Sequence, residues 1–524
     1  MVKSKVTFLT AEEAAKLIED GSTVAVGGFI GTGVAEEIHM AVEKRYMEKK
    51  EPRQLTLAYA GGIGDRATRG LNHYGHEGLV KRIIGGHWGL VPTFQPLVEN
   101  NLVEGYNFPQ GVMSQIFRDA AAKRNWHLSK IGLETFVDPD IDGGKLNEAT
   151  TEELIKKVEI ENETFLAYQT IYPDVAILKG TYVDDNGNVS FDDEPLILEA
   201  ISMAMATKNN GGKVMVQVKE KRPNGSLDPK SIVIPGVCVD YIVVASNMEN
   251  HKQTFDTLYN EDFITPGIIE LSEEVELSPL NARKIIARRA AMFLNPATDY
   301  IVNYGIGMPE MVAKVLNEEN QESHFIPTVE PGSFGGSPQG NLDFGCSVHP
   351  QSIIQQSDMF QFYNGGGIDT AFLGMAETDQ YGNVNVSKFG PKIAGAGGFI
   401  DITQTAKKVI FTGTFSAKNI AYNINEHKLV IEAEGEKQKL VEQVEHITFS
   451  GSFAKKQQQE VYYVTERAVF KLEEDGLMLI EIAPGIDLEK DILGKMQFVP
   501  IISKKLKLMD KSIFNEGKMN LIFN

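Results

Sequence analysis

A stretch that occurs twice decides the fold. The first copy reads Asp174-Val-Ala-Ile-Leu178 and then Asp184-Asp-Asn-Gly-Asn-Val189; the second, 195 residues later, reads Asp369-Thr-Ala-Phe-Leu373 and then Asp379-Gln-Tyr-Gly-Asn-Val384. Each copy predicts a strand, a connector and a Gly-Asn turn of the hairpin type that leads into a second strand. So many matches at one offset indicate two related halves rather than two unrelated hairpins.

A second pair of segments supports the repeat. Gly27-Gly-Phe-Ile-Gly-Thr-Gly33 follows the apolar run Thr23–Val26, and Gly305-Ile-Gly-Met-Pro-Glu310 follows a similar run. Aligning Gly28 with Gly305 gives an offset of 277 residues, so the first half carries extra residues between the two landmarks.

Short runs rich in Val, Ile and Tyr alternate with helix-like segments along both halves, as in strands that are buried on both faces of an open sheet. We therefore expect an α/β fold with two tandem homologous open α/β domains, mostly parallel sheets and an enlarged first domain. The expected domains are residues 1–275 and 280–524. The linker is predicted near Ser272–Pro279, which is acidic and polar and ends in Pro.

Composition excludes several functions. The 524 residues carry a formal net charge of −20 without a basic stripe, so nucleic acid is not an expected partner. Cys238 and Cys346 lie in unlike contexts, which predicts neither a disulfide nor a zinc site. The N-terminal residues lack the apolar core of a leader peptide, and no apolar run is long enough to span a membrane. We expect a cytoplasmic protein without a metal or a membrane partner.

Three glycine clusters lie in the second half, at Gly305–Gly307, Gly365–Gly367 and Gly395–Gly398. Ligands of open α/β sheets bind beyond the carboxyl ends of the strands, and glycine lets the backbone approach an anion closely. Neither Gly27–Gly33 nor Gly305–Glu310 continues as G-x-G-x-x-G, because Glu stands at the sixth position. A nicotinamide oxidoreductase is therefore disfavoured.

Glu330 is the principal candidate for chemistry. It ends the apolar run of Phe325-Ile-Pro-Thr-Val-Glu-Pro-Gly332 and is followed by further glycines at 335 and 336. The run places a carboxylate at a strand's carboxyl end, and the glycines leave room for a ligand beside it. The alternative is a solvated charge or a loop anchor.

Two nearby groups are weaker candidates. Cys346 and His349 are three residues apart with no third orienting residue, which favours a structural role over a catalytic pair. Ser333 lacks the G-x-S-x-G elbow, because Pro331 occupies the position of the first glycine.

Together these motifs resemble family I CoA-transferases, in particular the single-chain acetate/propionate/acetoacetate type in which two homologous halves are fused. Asp20-Gly-Ser-Thr-Val-Ala-Val-Gly-Gly-Phe-Ile-Gly-Thr-Gly33 is similar to the first signature, although Ala35 stands where the family has proline. Glu330 with Gly332, Gly335 and Gly336 resembles the E-x-G-x-x-G-G segment of the nucleophilic glutamate. The matching stretches, which span nearly the whole chain, also include Asn107–Gly111, Phe362–Asp369, Lys392–Asp401 and Glu481–Leu488.

The resemblance implies the chemistry. Glu330 would attack an acyl-CoA to form an anhydride and then a glutamyl-CoA thioester, in a ping-pong transfer between short-chain acyl-CoA and free carboxylates. Gly305, Gly307, Gly397 and Gly398 would supply oxyanion or CoA contacts, and Gln110 and Gly366 would contact the substrate. CoA would be a substrate rather than a cofactor, and the chain would form a homo-oligomer, either a dimer or a tetramer. The alternatives on the same fold are an acyl-CoA hydrolase and a CoA-binding sensor.

Overall fold

The computed structural model describes residues 6–268 and 277–523. They form two compact units. Unit 1 contains residues up to 268 together with 329–361 and 389–401, and unit 2 contains the described residues of 269–328 together with 362–388 and 402–524. The predicted α/β class is confirmed, because each unit holds a mostly parallel sheet with helices.

The described residues contain the helices α1 Ala11–Ala15, α2 Glu36–Lys49, α3 Gln95–Glu99, α4 Gln110–Ala121, α5 Ala200–Asn209, α6 Ala282–Ala291, α7 Glu310–Glu318, α8 Gln356–Asn364, α9 Phe399–Thr405 and α10 Gly451–Lys456. The strands up to residue 268 are β1 Thr7–Leu9, β2 Thr23–Val26, β3 Leu55–Tyr59, β4 Val80–Gly85, β5 Glu104–Asn107, β6 Trp126–Ser129, β7 Ile155–Ile160, β8 Glu163–Gln169, β9 Val175–Val183, β10 Val189–Ser190, β11 Lys213–Lys221, β12 Ile232–Ile234 and β13 Tyr241–Val244. The later strands are β14 Ile301–Tyr304, β15 Ile326–Val329, β16 Ser333–Phe334, β17 Ser337–Pro338, β18 Ser347–Val348, β19 Ser352–Ile353, β20 Thr370–Gly374, β21 Glu377–Asp379, β22 Val384–Asn385, β23 Lys388–Phe389, β24 Lys392–Ile393, β25 Lys408–Thr412, β26 Ser416–Ala417, β27 Ala421–Asn425, β28 Lys428–Ala433, β29 Lys437–Gln438, β30 Leu440–Val441, β31 Glu460–Val464, β32 Ala468–Glu473, β33 Gly476–Ile482 and β34 Ile501–Leu508.

The sheet of unit 1 has the order β1-β13-β11-β9-β2-β3-β4-β5, and all of these neighbours are parallel. Strand β10 pairs antiparallel with β9 and with β12. The central strands of this sheet are buried along their whole length or most of it, as in β3 and β9, which explains their continuous apolar sequences. Such a sheet aligns the carboxyl ends of its strands at one edge.

In unit 2 the strands follow the order β15-β14-β20-β25-β31-β32-β33-β34. The first four pairings are parallel, β31-β32 and β32-β33 are antiparallel, and β33-β34 is parallel. The unit therefore has a parallel set of strands like that of the first unit, but one end of its sheet is partly antiparallel.

The turns of the repeated stretch have the same internal hydrogen bonds in both copies. The carboxylate of Asp184 accepts from the backbone N–H groups of Asn186 and Asn188 and from the Asn188 side chain. The carboxylate of Asp379 accepts from Tyr381 and Asn383 in the same pattern. The Asp and Asn of each copy thus close the turn through side-chain bonds, and the predicted hairpins are confirmed.

The structure corrects the alignment of the glycine motifs by one residue. Val24 pairs with Val175, and Val302 pairs with Thr370, the residue that corresponds to Val175 in the repeat. This register makes Gly27, not Gly28, the equivalent of Gly305. A Cβ at Gly27 would lie 2.9 Å from a methyl carbon of the Leu178 side chain, and one at Gly305 would meet the equivalent leucine at 3.0 Å. Both strands are followed directly by glycine because there is no room for a side chain at that position.

The compact units do not follow the order of the chain. Residues 329–361 and 389–401 belong to the second half of the sequence but pack within unit 1. The division at 1–275 and 280–524 concerns homology and stays a prediction, and the predicted linker lies largely outside the described residues. No helix in the described ranges is long and apolar enough to cross a membrane.

Candidate active site

Glu330 lies in a tight turn that follows β15. The N–H of Gly332 donates to the carbonyl of Val329 at 3.0 Å, and the carbonyl of Gly332 accepts from the N–H of Ile354 at 2.9 Å. Gly332 has a φ of +134°, and a Cβ there would overlap the carbonyl oxygen of Ile354. The turn can pack against the chain at Ile354 only because residue 332 has no side chain.

The ring of Phe29, from the first glycine motif, lies beside this turn. A Cβ at Gly345 would lie 2.9 Å from the Phe29 ring and 3.1 Å from Pro331 Cγ, so both side chains border the same glycine. A Cβ at Gly61 would lie 2.5 Å from the ring and 3.5 Å from Gln110 Nε2. Phe29 therefore lies close both to the turn that carries Glu330 and to the side chain of Gln110.

Gln110 is the first residue of α4, and the sequence around it explains its fixed position. The N–H of Gly111 donates to Asp401 Oδ2 at 3.1 Å, and a Cβ at Gly111 would overlap that carboxylate. Asn107 Oδ1 accepts from the N–H of Ala396 at 2.9 Å. The Asn-Phe-Pro-Gln-Gly stretch thus anchors the start of α4 to the loop at 395–401.

The structure places Glu330, Gln110, Gly397 and Gly398 in unit 1. The carbonyl of Gly397 accepts from the N–H of Gln110 at 3.0 Å, while the N–H of Gly397 donates to Gly86 at 2.7 Å. The N–H of Gly398 has no acceptor in the described part of the chain. The buried Gly398 amide is thus the one of the pair that could donate to a ligand without first losing a bond.

The other three predicted glycines belong to unit 2. The N–H of Gly305 donates to Phe372 O at 2.9 Å, that of Gly307 donates to Glu310 Oε1 at 2.9 Å, and that of Gly366 donates to a backbone carbonyl of the same unit. Their roles in binding stay predictions, and each amide would have to exchange its present acceptor for the ligand.

The environment of Glu330 suits a nucleophile. Its side chain is half-buried, and no other side chain in residues 6–268 and 277–523 forms a hydrogen bond or an ion pair with it. Burial raises the pKa of Glu330 to about 7, although its own backbone N–H opposes the shift. A less acidic carboxylate is more nucleophilic when ionised, but about half of it is protonated at neutral pH.

This pKa predicts a pH dependence for any reaction in which the carboxylate of Glu330 is the nucleophile. If Glu330 is the nucleophile that the resemblance implies, only its ionised carboxylate can attack a thioester, and activity is expected to fall as the pH drops through the pKa of about 7. We expect kcat/KM for an acyl-CoA to rise about tenfold per pH unit on the acidic side and to level off above the pKa. Stopped-flow detection of released CoA thiol measures it. A profile that bends near pH 4 instead would contradict the raised pKa.

Cys346 is excluded as a competing nucleophile. The thiol is fully buried, and burial raises its pKa to about 12. Its Sγ lies 3.7 Å from the hydroxyl of Thr32, while His349 contacts the carbonyl of Thr265 instead. Cys346 and His349 therefore do not form a pair, in agreement with the structural role expected from the sequence.

Two buried residues of this site were missed by sequence reasoning. Gln356 Oε1 accepts from Gln110 Nε2 at 3.2 Å, and Gln356 Nε2 donates to Glu199 Oε2 at 2.9 Å. Neither Gln356 nor Glu199 stands in a recognisable motif. The two hydrogen bonds join residues that are 246 and 157 positions apart in the chain, and contacts over such separations leave no local pattern. In the described ranges no group of three or more His, Cys, Asp or Glu is placed to hold a metal ion.

Comparison with known proteins decides the family. The family model for coenzyme A transferase matches residues 8–245. Over 524 residues the chain is 43% identical to the acetate CoA-transferase YdiF of Escherichia coli K12, covering 99% of this chain and 97% of that protein. The chain belongs to the coenzyme A transferases. It therefore acts on acyl-CoA and carboxylates, which favours transfer over the hydrolase and the sensor.

Other CoA-transferases agree with this assignment. The caffeate CoA-transferase of Acetobacterium woodii is 43% identical over 514 residues, which cover 97% of each chain. The crystal structure of the YdiF apoenzyme from E. coli O157:H7 has a TM-score of 0.93 at 42% identity, over 100% of this chain and 98% of that one. A second structure of that protein, a thioester complex with CoA, has a TM-score of 0.92 at the same identity and coverage.

Proposed function

We propose that this CoA-transferase moves CoA between short-chain acyl-CoA and free short-chain carboxylates by a ping-pong reaction in which Glu330 is the covalent nucleophile. One observation carries the proposal. The half-buried carboxylate of Glu330 has no side-chain partner within residues 6–268 and 277–523, and it follows a strand directly, in a turn that needs glycine. A structural carboxylate in such a place would be expected to accept hydrogen bonds or pair with a cation.

The first step forms an anhydride. A carboxylate oxygen of Glu330 attacks the thioester carbon, and the electron pair of the carbonyl moves onto its oxygen. When this oxyanion collapses, the C–S bond breaks and CoA leaves as the thiolate. Glu330 and the acyl group are then joined as a mixed anhydride, and no general base is needed because the attacking group is already an anion.

The second step moves CoA onto the enzyme. The thiolate attacks the γ-carbonyl carbon of Glu330, the original acid leaves as a carboxylate, and a glutamyl-CoA thioester remains. An incoming carboxylate reverses both steps and leaves with CoA. The YdiF protein has been crystallised as a thioester complex with CoA, which supports an intermediate of this kind.

The Gly398 N–H is the proposed donor to an oxyanion. It is buried and free of a partner in the described chain, whereas the N–H of Gly397 is already used. A backbone donor that is fixed before the reaction stabilises developing charge without reorganisation. One such donor typically lowers the activation barrier by about 3 kcal/mol. Gln110, whose Nε2 lies near Phe29, is proposed to contact the acid half of the substrate.

Covalent trapping tests the proposal. We expect that incubation with acetyl-CoA, rapid acid quenching and peptide mass spectrometry will find a CoA-sized mass on the peptide that contains Glu330. Hydroxylamine should remove it, because it cleaves thioesters. Glu330→Gln should show no adduct, and Glu261→Gln, which changes an exposed glutamate of the same unit, should keep it. Transfer without any adduct on this peptide would overturn the mechanism.

The remaining features of the proposal concern the working state of the enzyme. CoA serves as a substrate, with no cofactor or metal, and the active form is a cytoplasmic homo-oligomer, a dimer or a tetramer. Light scattering coupled to size-exclusion chromatography measures the mass of the oligomer, and activity after dialysis against a chelator tests the independence from metal.

A further inference from the structure

A chain of three buried polar side chains crosses unit 1. Gln110 Nε2 donates to Gln356 Oε1 at 3.2 Å, and Gln356 Nε2 donates to Glu199 Oε2 at 2.9 Å. The exposed fractions are 1% for Gln110, 1% for Gln356 and 0% for Glu199. Burying three such groups is costly, so their hydrogen bonds must be satisfied together.

The chain has a defined direction. An oxygen of Glu199 that carries no proton can only accept, so Gln356 must turn its NH₂ toward Glu199 and its carbonyl toward Gln110. Gln110 must then turn its own NH₂ toward Gln356. One N–H of that NH₂ is used, and the second has no acceptor in the described residues. Without Glu199, neither of the other two side chains in this hydrogen-bonded row distinguishes the two amide orientations of Gln356.

Glu199 is itself held firmly in place. The preceding residue, Leu198, has a φ of +57°, a left-handed conformation that is uncommon for a branched side chain. Its carbonyl accepts from the N–H of Gln356 at 3.1 Å, and its side chain would meet a Cβ at Gly33 at 2.9 Å. A backbone hydrogen bond from Gln356 to Leu198 and a side-chain hydrogen bond from Gln356 to Glu199 therefore hold these two neighbouring residues against Gln356.

Gln356 is also tied to the turn that carries Glu330. It follows Ile354 by two residues, and the N–H of Ile354 donates to the carbonyl of Gly332 at 2.9 Å. The row of hydrogen-bonded side chains and the turn that carries Glu330 are therefore both attached to the short segment 354–356.

We propose that Glu199 is a positioning residue, which acts through Gln356 to orient the Gln110 amide so that its free N–H faces an oxygen of the carboxylate substrate. This rests on the proposed function, in which Gln110 contacts the acid half of the substrate. If the amide were inverted, its carbonyl oxygen would face the carboxylate and repel it. The expected consequence is weaker binding of the acid rather than loss of the nucleophile.

The acceptor role of Glu199 is compatible with its protonation. Burial raises the pKa of Glu199 to about 8, so the side chain is mostly neutral at pH 7, and Oε2 still accepts from Gln356 when the proton is on Oε1. Its Oε1 atom is buried with no hydrogen-bond partner in the described chain, where a full charge would be uncompensated. Glutamine is a partial substitute, because its amide oxygen can accept from Gln356 in the same way but its NH₂ can also donate to Gln356.

Two substitutions test the proposal. Glu199→Leu removes the acceptor, and we expect the KM for the carboxylate to rise roughly 10- to 100-fold, with a smaller change in kcat. Glu199→Gln can either accept from Gln356 or donate to it, and we expect a rise in KM that is clearly smaller than that of Glu199→Leu. Equal damage from both variants, or no change in KM for Glu199→Leu, would overturn the proposal.

A double-mutant cycle shows whether the effect passes through Gln110. Glu199→Leu should add little to the loss already caused by Gln110→Ala, because the oriented amide is then gone. Fully additive losses would contradict the proposal. Should Glu199→Leu fail to fold, Gln356→Leu in the same cycle reports on the same connection.

The CoA adduct separates this inference from the proposed function. In Glu199→Leu the adduct on Glu330 should still form, because the nucleophile is intact. If the wild type forms no adduct, the covalent mechanism fails, while the coupling between Glu199 and Gln110 in KM can still be measured. If the adduct forms but the coupling is absent, only the role of Glu199 fails.

Discussion

Glu330→Gln is expected to lower the rate of CoA transfer by at least about 10⁴-fold, because the amide keeps the shape of the side chain and removes the nucleophile. Fold stability should not decrease, since the carboxylate makes no ion pair in the described chain that the substitution would break. The measurement is exchange between acetyl-CoA and a second short carboxylate, followed by chromatography of the acyl-CoA products.

Glu330→Asp and Glu261→Gln are the matched controls. Aspartate keeps a carboxylate but withdraws it by one methylene, and a misplacement of about 1 Å can cost about 10²-fold. Glu261→Gln changes a surface charge only and should leave transfer unaffected. Retention of most of the transfer activity by Glu330→Gln would show that another group is the nucleophile.

Gly332→Ala is expected to reduce transfer by about 10²-fold and to destabilise the protein by roughly 1–3 kcal/mol. The φ of +134° is unfavourable for alanine, and the new Cβ would overlap the carbonyl oxygen of Ile354. The turn must then shift, and Glu330 shifts with it. Transfer assays together with thermal unfolding measure the two effects separately.

Gly21→Ala provides the control for Gly332→Ala. Gly21 also has a positive φ, of +78°, but nothing lies within 4 Å of a Cβ there. Its substitution should cost about 1 kcal/mol of stability and leave transfer unchanged. If both variants lost equal stability and kept equal activity, close packing at Gly332 would not be what positions the nucleophile.

Some features were predicted from sequence because their cause is local. A Gly-Asn turn needs a particular backbone conformation, and Asp184 and Asp379 hydrogen-bond to residues two and four positions ahead. The turns therefore leave the same residue pattern in both halves. Glu330 could be proposed as the nucleophile for a similar reason, since a strand end, a proline and a set of glycines are adjacent in the chain.

Register was the part of the repeat that sequence reasoning got wrong. Gly27 and Gly28 are neighbours with similar motif positions, and only the pairing of β2 with β9 and of β14 with β20 shows which of them corresponds to Gly305. A slip of one residue turns every side chain of a strand to the other face of its sheet. Packing against the neighbouring strand is what selects the register.

The α/β class, the repeated plan and the resemblance to CoA-transferases could be read from the sequence alone, and so could the candidate nucleophile Glu330, because each depends on residues that are close together in the chain. Only the tertiary structure decided which glycine amides are already bonded, that residues 329–361 and 389–401 pack with the first part of the chain, and that Glu199 reaches Gln110 through Gln356. Hydrogen bonds between distant residues require only that their atoms meet in space, so they impose no spacing that a single sequence could reveal.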